Sequence, residues 1–167
     1  VRHTGIDRGL VRMVRTRGAE TGVHAIYRVT SARQRLRIEL PDPVSFDTTP
    51  LRINGRGVPL ERGQAGTYHV PLTGRRAGEP FVLELRYTLP DAGPLALPVF
   101  PDDPAVQKIY LSAWLPLERA LLGSTGPWTS RQLWRFDLPG GFTPQPERPE
   151  RELVGWVTAG VSVAGNT

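Results

Sequence analysis

The chain has 167 residues, a net charge of +5, 18 Gly, 17 Pro, four Trp and no cysteine. This length suits one domain able to bury a sizeable core, and the lack of cysteine excludes disulfides, a thiolate nucleophile and Cys-ligated zinc. Gly and Pro make up roughly a fifth of the residues against an average of about 12%, which excludes long helices and predicts a turn-rich β architecture.

Leu10 to Thr16 reads as an opening strand, and Gly18 to Thr21 as a turn. Val23 to Thr30 alternates more clearly, with Val23, Ala25, Tyr27 and Val29 on one face. A short Ser31-Ala32-Arg33 connection leads to Gln34 to Leu40, where Leu36, Ile38 and Leu40 alternate with charged residues, so these two runs are expected to form an antiparallel hairpin. Pro41-Asp42-Pro43 stops the second run. Asn54-Gly55 between Leu51 to Ile53 and Gly57 to Leu60 predicts a tight hairpin, because both residues accept positive φ.

Gly66 to Leu72 alternates again, and the turn at Thr73 to Glu79 leads into the clearest strand of the chain. In Phe81 to Pro90, the residues Phe81, Leu83, Leu85 and Tyr87 share one face, and Leu36, Ile38 and Leu40 are expected to cover them. Pro90, Pro94, Pro98, Pro101 and Pro104 mark an extended crossover, or a point where the chain divides in two. Val106 to Leu115 is apolar on both faces, which predicts a buried strand. Leu117 to Leu122 reads as one short helix, Arg131 to Leu138 as a strand, Thr143 to Glu152 as an exposed segment, and Val154 to Val163 as a last strand.

Several of these runs occur together in a recognisable order: Tyr27-Arg-Val, Leu36-Arg-Ile-Glu-Leu-Pro41, Leu51-Arg-Ile-Asn-Gly-Arg-Gly-Val-Pro-Leu60, Tyr68-His-Val-Pro-Leu72 and Phe81-Val-Leu-Glu-Leu-Arg-Tyr87. Residues 23 to 90, with weaker support from Ala113-Trp-Leu-Pro116, resemble uncharacterised immunoglobulin-like β-sandwich domains of large bacterial cell-envelope proteins. The resemblance implies an extracytoplasmic, non-catalytic domain and supplies no functional residues. The expected fold is therefore an all-β, antiparallel, immunoglobulin-like sandwich spanning residues 1–167 as a single domain, with at most one short helix. Its inner layer should hold Tyr27, Leu36, Ile38, Leu40, Tyr68, Phe81, Leu83, Leu85, Ile109, Leu111, Trp134 and Phe136. Because the chain begins at Val1, it reads as a segment of a longer protein.

The search for chemistry yields no catalytic or metal constellation and no cofactor. His3, His24 and His69 lack metal-ligand spacing, although His24 and His69 fall on strands that could bring them together. Ser124 sits in Gly-Ser-Thr-Gly without a base or a strand-turn-helix context, and Asp102-Asp103 supplies too few oxygens for calcium. Two surfaces remain as candidates. Trp128, Trp134 and Phe136 could form a platform for sugar rings, or simply fill a core. Nine arginines fall in residues 1–40, and Arg28, Arg33, Arg35 and Arg37 could form a basic face for a polyanion, or simply the wet side of a sheet.

The expected function is a structural or adhesive interaction module of a larger envelope protein. Its partners are other domains of the same chain or other envelope proteins. The alternatives are a carbohydrate-binding accessory module with a glycan partner, and polyanion binding through the basic N-terminal region. Nucleic acid is the less favoured polyanion, because no aromatic residue for base stacking lies in the arginine row.

Overall fold

The computed structural model describes residues 3–90, 93–102, 104–119, 125–129, 133–137, 141–145 and 148–165, with the backbone alone for 133–137 and 141–145. These residues form eleven strands and one helix, so the all-β expectation holds. The strands are β1 (Thr4–Arg15), β2 (Thr21–Ser31), β3 (Arg35–Glu39), β4 (Leu51–Ile53), β5 (Arg56–Gly57), β6 (Glu61–Arg62), β7 (Thr67–Pro71), β8 (Phe81–Leu89), β9 (Ala105–Trp114), β10 (Leu133–Asp137) and β11 (Gly141–Gln145). The helix is α1 (Glu150–Thr158). A six-stranded sheet runs β5-β4-β8-β2-β1-β9, a three-stranded sheet runs β3-β7-β6, and β10 pairs with β11. Pairing within the six-stranded sheet is antiparallel except for β1 with β9.

The two larger sheets pack face to face. Phe81, Leu83, Leu85, Tyr87 and Leu89 of β8 share one buried cluster with Leu36 and Ile38 of β3 and with Tyr68 and Val70 of β7. Full burial of one such side chain stabilises by about 1.5–3 kcal/mol, which makes this alternating face the main driver of the fold. Eight of the expected inner-layer residues are buried: Tyr27, Leu36, Ile38, Leu40, Tyr68, Phe81, Leu83 and Leu85. Ile109 is partly buried against them, whereas Leu111 is exposed. The side chains of Trp134 and Phe136 lie outside the described residues.

Local turn chemistry matches the sequence at Asn54-Gly55, where φ is 50° and 80° and Ile53 faces Arg56. The expected hairpin of β2 with β3 does not form. Both edges of β2 are already taken, by β1 and β8, so the chain must leave the sheet at its end. Ser31 makes the exit: its hydroxyl exchanges a hydrogen bond with Thr4 Oγ1 at 3.0 Å and accepts one from the Arg33 amide at 3.1 Å. The strand β3 then pairs with β7 in the other sheet.

The expected last strand is the second correction, since residues 150–158 are helical. Glu150 and Glu152 lie in the first turn, where the helix dipole favours acids. Leu153, Trp156 and Val157 then recur at helical spacing. Leu153 and Val157 bury against Leu10, Ile26 and Val82 on the outer face of the six-stranded sheet. Helix α1 has no basic residue in its last turn, and the strands supply that charge. Arg8 donates to the Trp156 carbonyl at 2.7 Å, and Arg28 donates to the Ala159 carbonyl. At the other end Glu150 Oε1 accepts from Ser112 Oγ at 2.9 Å and from Trp114 Nε1 at 2.8 Å, while its second oxygen pairs with Arg12 at 3.3 Å. The tail beyond the helix reaches the β4–β5 turn, where the Ala164 amide donates to the Asn54 carbonyl at 2.9 Å.

Among the described residues, no helix is long and apolar enough to cross a membrane.

Candidate interaction surface

Strand β1 is twelve residues long and carries β9 in parallel register from Gly5↔Ala105 to Val14↔Trp114. Val11 and Met13 of β1 are fully buried, while their partners Leu111 and Ala113 in β9 are exposed. Val106 is 51% exposed, Trp114 49% and Leu117 98%, and Val14 beside Trp114 is also open. On the outer face, Tyr110 packs edge-on against Trp156 at 5.4 Å and Trp114 is tied to Glu150.

The other side of β9 has no strand partner among the described residues. Natural edge strands are blunted by charges, proline or bulges. Here β9 contains one charge, Lys108, and no proline. Among the described residues, a strand with much of the composition of a buried one thus stands at an unpaired edge with Leu111 and Val106 exposed. The sequence carried a signal for this surface, apolar residues on both faces of Val106 to Leu115, but read as a buried strand it pointed to the core.

The two surfaces expected from the sequence are distributed as follows. Arg28 projects from the outer face of the six-stranded sheet and pairs with Asp7 at 3.4 Å. Arg35 and Arg37 stand on the three-stranded sheet, opposite Pro71 and His69. Arg33 lies in the connection before them and pairs with Asp102 at 2.7 Å, and Arg35 reaches Glu61 at 3.6 Å. The structure therefore groups Arg33, Arg35 and Arg37 and places Arg28 elsewhere. Trp128 is half-buried next to Gly126, while Trp134 and Phe136 are described only as backbone in β10.

Among the described residues, no three metal-ligating side chains cluster. His24 and His69 stand on the outer faces of opposite sheets and do not meet. Ser124 and Asp103 lie outside the described residues. A cavity of about 610 Å³ opens between Phe46, Tyr68, Val58 and Leu60, and one of about 310 Å³ lies between the β2–β3 connection and the β7–β8 loop.

Two side chains converge on Glu84 of β8. His24 Nε2 lies 2.8 Å from its Oε1, and Arg86 donates to the same oxygen at 2.8 Å. The hydrogen bond from His24 is the largest influence, and together with the neighbouring positive charges it outweighs partial burial and holds the carboxyl down to about 2. Because this folded value is below the unfolded one, Glu84 stabilises the domain above about pH 4.5, and that contribution is lost as pH falls toward 2. Between pH 5 and pH 3 the unfolding free energy from urea titration is expected to fall by up to about 2 kcal/mol more in wild type than in Glu84→Gln, the rest being lost below pH 3. Parallel pH profiles for the two proteins would contradict this.

No protein-family model matches the sequence, and no curated protein matches it. Among solved structures, the chain is similar to an M1 zinc metallopeptidase from Deinococcus radiodurans bound to a Tyr-Ser-Ala substrate. The two are 19% identical over 60% of this chain and 24% of the peptidase, with a TM-score of 0.45. A second structure of the M1 zinc metallopeptidase from the same organism gives 20% identity over 52% of this chain and 20% of that one, with a TM-score of 0.42. Leukotriene A4 hydrolase from Saccharomyces cerevisiae gives 7% identity over 52% and 15%, with a TM-score of 0.41. The chain thus spans about a quarter or less of the proteins it is similar to. At these scores the likeness assigns neither a family nor an activity.

Proposed function

We propose that this chain is a non-catalytic structural or adhesive module of a larger bacterial cell-envelope protein, and that β9 is the surface through which it works. The partner is a neighbouring domain of the same protein or of another envelope protein, which covers Val106, Leu111 and Leu117 and adds to the open edge. The architectural part of this reading is an immunoglobulin-like sandwich, antiparallel apart from one pair. One observation carries the proposal: β9 has no strand partner on one side among the described residues, and it leaves Val106, Leu111 and Trp114 exposed. An isolated surface rarely sustains such a patch unless something covers it.

The chain has no cysteine, so Leu117→Cys introduces a single reactive handle. In the isolated 167-residue domain this thiol is expected to react with a maleimide as fast as a free peptide. In the whole protein in intact cells it is expected to be shielded, while Gln64→Cys, on the exposed turn before β7, is labelled by a membrane-impermeant reagent. Equal reactivity of Leu117→Cys in both settings overturns the docking surface. Failure to label Gln64→Cys in intact cells overturns the extracytoplasmic location.

A further inference from the structure

We infer that the cleft between the β2–β3 connection and the β7–β8 loop is a binding site for a phosphate group, free or carried on a small ester. Two independent backbone contacts build the cleft. The Leu72 amide donates to the Gln34 carbonyl at 2.8 Å, and the Gly78 amide donates to the Ser31 carbonyl at 3.2 Å, so the two loops are held at a fixed separation. Its floor is apolar and rigid, made by buried Leu72 and Phe81. The enclosed volume of about 310 Å³ exceeds a single phosphate and leaves room for a small organic group.

Three arginines line this space: Arg33, Arg75 and Arg76. Arg33 is already neutralised by Asp102. Arg75 and Arg76 have no carboxylate partner among the described residues, in contrast to Arg12, Arg28, Arg35 and Arg86. Arg75 is also fixed in place, with its guanidinium carbon 4.4 Å from the centre of the Phe81 ring. Its Nε is shielded from solvent and has no hydrogen-bond acceptor. A guanidinium held in one orientation forms paired hydrogen bonds with an oxyanion at little entropic cost. Two guanidinium groups outside any ion pair match a dianion better than a carboxylate. Glu79 also lines the cleft and is the one opposing charge there.

The test is a titration of the ¹⁵N-labelled domain with inorganic phosphate at low ionic strength, with glycerol 1-phosphate and acetate as parallel arms. Phosphate is expected to shift the amides of 31–34 and 72–79 saturably, and acetate to do so only weakly. Tighter binding of glycerol 1-phosphate than of phosphate marks an esterified source, and equal binding marks free phosphate. Arg75→Ala and Arg76→Ala should each weaken binding by about tenfold, the loss of one charge-assisted hydrogen bond. Glu79→Gln should strengthen binding, and Arg17→Ala, in the β1–β2 turn at the opposite end of β2 from Ser31, should leave it unchanged. Arg75→Lys keeps the charge and the fold but loses the planar fork, so it should also weaken phosphate. Shifts that do not saturate, or an affinity unmoved in both Arg75→Lys and Glu79→Gln, would overturn the site.

Discussion

Leu85→Asp is expected to abolish the fold. Leu85 is 1% exposed at the centre of the six-stranded sheet, paired with Ala25 on one side and Leu51 on the other. Removing a buried Leu side chain costs about 2–5 kcal/mol through lost contacts and the cavity left behind. Placing a carboxylate there adds the cost of burying an unpaired charge, or of protonating it. A domain of this size has about 5–15 kcal/mol of stability in total, so the sum removes most or all of it. Far-UV circular dichroism and urea titration read the outcome. Arg37→Ser on the wet face of β3 serves as the control and should cost no more than about 0.5 kcal/mol. A cooperative unfolding transition near the wild-type midpoint in Leu85→Asp would contradict the packing of the two sheets.

The second large effect is expected at Gly55. Its φ is 80°, a conformation that side chains with a branched Cβ resist, and a Cβ built there would stand 2.1 Å from the Ala164 carbonyl oxygen. Gly55→Val is therefore expected to cost about 2–4 kcal/mol, from backbone strain and from displacement of the tail that hydrogen-bonds to Asn54. The two parts can be separated. Ending the chain after Gly160 removes the tail, so Gly55→Val should cost less in that background by the amount due to the clash. Full additivity of substitution and truncation would show that the tail does not rest on the turn.

Much of the sandwich was legible because its signals are local. The period of two in β8 survives because one face meets Leu36, Ile38 and Leu40 across the core and the other meets solvent or the helix. The Asn54-Gly55 turn is dictated by two adjacent residues. Strand pairing was less accessible, since nothing within Val23 to Ser31 records that Phe81 to Leu89 takes its second edge. Helix α1 was hidden by a coincidence of spacing: Val157, Ala159, Val161 and Val163 fall in phase for a strand, while Leu153, Trp156 and Val157 fall in phase for a helix. Glu150 and Glu152 at its start were the available sign. The arginines that hold its far end, Arg8 and Arg28, come from strands more than a hundred residues away.

The proposed docking surface was legible in composition but not in place. Val106 to Leu115 has the apolar content of a buried strand, and a sequence records how much a strand needs covering without recording what covers it. Among the described residues, β1 covers one edge of β9, helix α1 covers part of its outer face, and Leu111 on the inner face stays exposed. Arg33, Arg35 and Arg37 show the converse. Their alternation was plain, but the partners that neutralise two of them, Asp102 and Glu61, lie on segments brought there by the fold.

Hydrogen exchange along β9 tests the central claim most directly. In the isolated domain, the β9 amides that face the open edge should exchange far faster than those of β2, which is bonded on both sides. In the whole protein those same amides should be strongly protected, with β2 unchanged. Edge amides of β9 that exchange equally fast in both settings would contradict the assignment of this strand as the docking surface.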